Sequence, residues 1–347
     1  MWAHGWAFSG NPVLSLGRIS GIELDLNRAV SAFGTGVDLF FVISGFCMHL
    51  MYGRSQSRFE WPQYRNFIVT RWRRIAPAFY VSIAACAFGF TIVKGVFPFK
   101  DVLAHLAFLH IVIPETGLLA APFWSLATEW HFYLLLPLLI ALGSRIGVVP
   151  MLVAAIAASI AFRLVLYAGP ADTVAVWNTQ LPTRLVEFLW GILVSVLHQK
   201  NRLPPKVLRG NGGFILAVGV AYLGRLLMVS EVVRAAGEWG WVLKALAEPV
   251  LTLGFGFILW NVVMTESLGR TILEHAVARA LGRWSYSLYL WHWWPAYWIA
   301  TGTAAHFGST ALVQNAAFIL TLLVLVPVAW FSYRALELPY FRRKAAR

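Results

Sequence analysis

Asp38 stands inside the run Gly36-Val-Asp-Leu-Phe-Phe-Val-Ile-Ser-Gly-Phe46, where a carboxylate is costly unless partnered and an ionisable group usually marks a working site. Further along, Ser125, Glu129 and Tyr133 recur every four residues in FWSLATEWHFY at 123–133, a spacing that puts all three on one helix face. That face can line a polar cavity; alternatively, Glu129 can pair with a buried arginine and lock two helices together. His4 supplies an imidazole near the start of the chain. On its own, a histidine at a chain terminus is better read as a residue without a catalytic part, unless the two carboxylates meet it.

In Arg71-Trp-Arg-Arg74, Arg71 and Arg74 are three apart and project to one side of a helix end, whereas Arg73 points elsewhere. Two guanidinium forks suit bidentate phosphate binding; an ordinary cytoplasmic anchor is the equal alternative. In Arg283-Trp-Ser-Tyr-Ser-Leu-Tyr-Leu-Trp-His-Trp-Trp-Pro295, Ser285, Tyr289 and His292 share a stripe, where His292 is either a hydrogen-bonded structural residue or a catalytic one. The other histidines, including His105, His110 and His131, lack metal-ligand spacing, so no metal is expected.

These side chains need elements to hold them. Of the 347 residues, 59% are hydrophobic and 12% charged, with a mean hydropathy of +0.68, which excludes an ordinary soluble globule. Apolar stretches of spanning length fall at 34–52, 75–93, 123–142, 148–167, 183–198, 212–228, 242–263, 284–300 and 310–330. None alternates with the period of a barrel strand, so the spans are helices. The basic segments at 53–74, 200–209, 270–283 and 342–347 all belong on the cytoplasmic side by the positive-inside rule. They can share that side only if 102–113, about a dozen residues and short for a span, does not cross. His4, Asp38 and Glu129 then lie toward the outer side, where they could meet. The apolar start, ending by Phe8, reads as the remainder of a tenth helix that has lost its cytoplasmic half.

The expected fold is therefore an all-α polytopic membrane protein of about ten helices, one membrane domain over 1–347 with no soluble module. The net charge of +13 fits the positive-inside bias and anionic lipid better than nucleic acid. Cys47 and Cys86 both fall in spans, so neither a disulfide framework nor a zinc cluster is indicated. P-loop, dinucleotide, HExxH and GxSxG signatures are missing.

The stretches GVDLFFVISGF (36–46), FIVTRWRRIAP (67–77), FWSLATEWHFYLLLP (123–137), SYSLYLWHWWP (285–295) and LELPYFRR (336–343) together resemble the acyltransferase-3 family of membrane acyltransferases, which O-acetylate bacterial surface glycans. The resemblance covers nearly the whole chain. It implies about ten helices in the bacterial inner membrane with a cytoplasmic C-terminus, acyl-CoA as a co-substrate entering from the cytoplasm, and a carbohydrate or lipid-linked glycan acceptor on the far side. By resemblance, His4 matches the family's essential histidine and Arg71 with Arg74 its CoA-engaging pair. On that reading His4, with an ordinary pKa of about 6.5, could act as general base on the acceptor hydroxyl while Asp38 or Glu129 orients it and stabilises the imidazolium, or could itself be acylated and relay the group, and Ser125, Tyr133, Tyr289 and His292 would border the pocket. The family's arginine about ten residues before the histidine has no counterpart, because three residues precede His4. A polytopic transporter is the competing class, since transporters also hold polar sites at mid-membrane, although the chain shows no inverted repeat.

Overall fold

The computed structural model describes residues 1–12, 15–19, 22–25, 30, 33–52, 60–113, 115–167, 177–228, 233 and 237–345. Its helices are α1 (Trp2–Phe8), α2 (Gly36–Tyr52), α3 (Trp61–Lys94), α4 (Phe99–Leu106), α5 (Trp124–Ile146), α6 (Val148–Tyr167) and α7 (Leu181–Gln199). There follow α8 (Gly210–Leu226), α9 (Gly240–Met264), α10 (Leu268–Glu274), α11 (Ala276–Trp291), α12 (Trp293–Phe307), α13 (Ala311–Ser332) and α14 (Leu338–Ala345). One antiparallel ribbon, β1 (Ser15–Ile19) and β2 (Ile22–Asp25), departs from the all-α expectation.

Six helices among the described residues are long and apolar enough to cross a membrane: α3, α5, α6, α7, α9 and α13 with its continuation. Helices α2 and α8 have 17 residues each, about 25 Å at 1.5 Å per residue, less than the ~30 Å hydrocarbon core. The expected span at 284–300 is two helices. Pro295 has no N–H to give the Trp291 carbonyl, and the helix breaks at His292 between α11 and α12. Segment 102–113 contributes only the end of the eight-residue α4 before turning, too short to cross. Helix α3 starts at Trp61, ahead of the expected 75, so Arg71 and Arg74 lie within a continuous helix and not at its end. Arg54 and Arg58 fall outside the described residues, as do the side chains of Arg342, Arg343, Lys344 and Arg347.

The contacts group the chain into two compact units, each assembled from separated stretches. Unit 1 takes in 1–34, 69–124 and 280–347; unit 2 takes in 35–68 and 125–279. In unit 1, α1 packs on α12 and α13, with Trp6 buried against Val30 and Ala311 and Trp2 stacked on Phe318 at 5.4 Å.

In unit 2, α7 lies against α2, α6 and α9, and α8 against α9. Glycines set how closely these axes approach. A Cβ on Gly191 of α7 would stand 2.0 Å from the Val42 carbonyl oxygen of α2, and one on Gly45 of α2 would stand 2.1 Å from that of Phe188. The same holds for Gly224 and Gly254 between α8 and α9. Lipid tails are as apolar as the helices, so such backbone packing is what holds helices together in a bilayer. Gly191→Val should therefore destabilise unit 2 by about 1–3 kcal/mol. Thermal unfolding in detergent reads this, with Gly219→Val, whose site is open, as the unaffected control; equal melting of the two would remove the glycine contact from the account.

Candidate active site

In unit 1 the α11–α12 break brings His292 to the start of α12, and the α1 packing brings His4 to it. His4 Nδ1 lies 3.0 Å from His292 Nε2, and the rings are inclined by only 12°. His292 Nδ1 lies 2.7 Å from the Tyr289 carbonyl oxygen. A carbonyl only accepts, so His292 Nδ1 carries the hydrogen, and its neutral ring presents a lone pair at Nε2. His4 Nδ1 must then donate to that lone pair, which leaves His4 Nε2 unprotonated. This is the tautomer a general base needs, imposed by a second imidazole in the place where a carboxylate often sits. His292 is buried, Trp293 meets His4 edge-on at 5.1 Å, and the Tyr289 hydroxyl donates to the Pro122 carbonyl. Ser285, expected on the same stripe, is exposed and donates to the Gly282 carbonyl.

Arg71 and Arg74 both belong to the unit 1 part of α3. Arg71 is buried, and the Arg74 guanidinium lies 5.0 Å over the Phe341 ring, a cation–π contact that fixes its plane. Phe341 belongs to the LELPYFRR stretch. Its Glu337, in the π-helical turn Tyr333–Glu337, accepts from Ser287 at 2.6 Å and is near enough to Arg74 for their charges to interact. His105 and His110 stack in parallel at 3.8 Å. His105 Nδ1 donates to the Asp101 carbonyl at 2.7 Å, and burial pushes its pKa below the ordinary imidazole range.

In unit 2, Ser125, Glu129 and Tyr133 do share one buried face of α5. Ser44 of α2 donates to Glu129 Oε1 at 2.9 Å, and the Tyr133 hydroxyl donates to the same oxygen. Asp38 has a different partner. Its Oδ1 lies 2.6 Å from Arg184 Nη1, which also contacts Glu187 at 3.2 Å and Glu248. Arg163 Nη2 lies 3.0 Å from the other Glu248 oxygen. The three carboxylates offer oxygens within 4.8 Å of one another, interleaved with the two guanidiniums across α2, α6, α7 and α9. His4 lies in unit 1, Asp38 and Glu129 in unit 2, and the ring partner of His4 is His292.

Sequence reasoning missed Arg163, Arg184, Glu187 and Glu248, although each is a charge inside or beside an apolar stretch, the same signal that exposed Asp38. Ser44 and Ser287, also missed, carry no such signal. A serine becomes informative only when its acceptor is known.

The sequence profile of the acyltransferase-3 family, described as an acyltransferase domain, matches residues 2–334. The exopolysaccharide production protein ExoZ of Rhizobium meliloti is 29% identical over 324 residues, 90% of this chain and 90% of that protein. The peptidoglycan O-acetyltransferase OatA of Listeria monocytogenes is 24% identical over 315 residues, 83% of this chain and 48% of its own length. No solved structure matches the chain.

Proposed function

Because the chain belongs to the acyltransferase-3 family, we propose that this O-acyltransferase moves an acetyl group from cytoplasmic acetyl-CoA to a hydroxyl of a carbohydrate outside the bacterial inner membrane. An exopolysaccharide is the preferred acceptor, since the chain spans nine-tenths of ExoZ and less than half of OatA. The observation that carries the reading is the hydrogen-bond chain from the Tyr289 carbonyl through His292 to His4.

In the proposed reaction the acceptor oxygen attacks the thioester carbonyl carbon while its proton passes to His4 Nε2. The tetrahedral intermediate collapses with cleavage of the carbon–sulfur bond, and the imidazolium returns the proton to the departing CoA thiolate. Ester and free CoA thiol are the products. Arg71 and Arg74 take the CoA phosphates through paired charge-assisted bonds. Within unit 1, Tyr289 lies beside His292; within unit 2, Glu129 is a separate catalytic candidate that accepts from Ser44 and Tyr133 and shares its helix face with Ser125. Asp38 contributes by fixing Arg184. A transport role has no observation of its own in its favour.

Purified protein given radiolabelled acetyl-CoA should release CoA thiol and label a polysaccharide from its own membrane source; failure to do either would end the proposal. For the donor, Arg71→Ala and Arg74→Ala should each weaken acyl-CoA binding by about 2–5 kcal/mol, the range for a desolvated charged contact. Calorimetry with unchanged affinity in both variants would take the arginine pair out of the donor site.

A further inference from the structure

Unit 2 holds an open cavity of about 940 Å³ at the ends of α5 and α7 and the start of α6, at the upper end of the range for ligand sites, ~300–1,000 Å³. Leu139, Ile140, Ile192 and Val196 form its walls, and Lys200, Arg202 and Arg209 stand at its rim. Among the described residues that line it, none is Asp or Glu, so three cations border an aliphatic trough with no anion of the protein's own.

The rim is held in place. Arg209 Nε donates to the Pro204 carbonyl at 2.6 Å, and the Trp260 indole N–H donates to the Arg202 carbonyl at 3.0 Å. Such fixing lowers the entropy lost when a ligand binds. Val149 and Leu203 also line the cavity and are 55% and 50% exposed, so the trough opens sideways onto apolar surface. In a bilayer that surface meets lipid.

We infer that this cavity binds one anionic phospholipid, its phosphate held by Lys200, Arg202 and Arg209 and an acyl chain laid along the α5 and α7 walls. The charge complement fits, since clustered cations near a membrane surface attract anionic headgroups. A nucleotide-bearing ligand fits worse. The walls offer mainly branched aliphatic chains, and a polar atom of each of the two lining rings is already engaged by the protein, His49 Nδ1 with Ser195 and the Trp260 N–H with the Arg202 carbonyl, which leaves few groups to read a base edge. The site goes beyond the proposed reaction and shares no residue with it, so either can fail alone.

The test is native mass spectrometry of the full chain released from detergent with phosphatidylglycerol, phosphatidylcholine or CoA. The expected result is one retained phosphatidylglycerol and no retained phosphatidylcholine. The triple variant K200Q/R202Q/R209Q should lower that retention by roughly tenfold or more, because it neutralises all three cations that hold the phosphate. Val196→Trp, which fills the trough and leaves the cations, should lower it as well. Equal retention of the two lipids overturns the inference. So does phosphatidylglycerol retained undiminished by both variants, which marks it as lipid of the general belt, and so does its displacement by CoA.

Discussion

His4→Ala is expected to lower acetyl transfer about 10²- to 10⁴-fold, the usual consequence of losing a positioned base, while acyl-CoA affinity stays as it was. The two readouts separate because the proposed donor arginines lie on α3 and make no use of the imidazole. His292 tests the tautomer argument. In His292→Gln the side-chain carbonyl can still accept from His4 Nδ1–H, so much of the activity should remain. His292→Leu removes the acceptor, releases the ring to the other tautomer, and should cost activity and shift the pH profile. A merely structural role for His292 would lower yield and stability and leave that profile alone. The double variant His4→Ala with His292→Leu should lose little beyond His4→Ala, since residues acting as a unit are non-additive. Full turnover by His4→Ala would remove this residue from the chemistry.

The helices were legible where length and hydropathy alone decide, and α6 keeps the bounds read from the sequence, 148–167. Local chemistry was less well used. Pro62 follows Trp61 at the start of α3, a position where proline favours helix initiation, yet the charged residues after it suggest a loop. Six spans of full length among the described residues, against about ten expected, reflect helices such as α2 and α8 that end short of the hydrocarbon thickness. In the site, the face of Ser125, Glu129 and Tyr133 was legible because i and i+4 are neighbours on any helix. The partners were not. His4 and His292 are 288 residues apart and Asp38 and Arg184 are 146 apart, and periodicity fixes which way a side chain faces on its own helix without fixing which helix it faces.

Arg184→Met should be the most destabilising single change in unit 2, by about 3–5 kcal/mol, because removing one partner of a buried ion pair strands the others. Asp38, Glu187 and Glu248 all converge on its Nη1, and Arg163, which reaches Glu248, cannot replace it for Asp38. The acids should not respond alike. An Nη1 carries two hydrogens and here faces three carboxylate oxygens. Glu187, at 3.2 Å, is farther from it than Asp38 at 2.6 Å, and its second oxygen has no hydrogen-bond partner among the described residues. Glu187→Gln therefore relieves a like-charge contact and gives up little, and should stay within about 1 kcal/mol of the parent. Glu248→Gln weakens the bridge to both guanidiniums and should fall between the two. Adding Asp38→Asn to Arg184→Met should recover part of the loss, since it removes one of the stranded charges. Thermal or denaturant unfolding in detergent gives the order directly. If Arg184→Met melts with the parent protein, the ion cluster is incidental to unit 2, and Asp38 returns as a carboxylate available for the reaction itself.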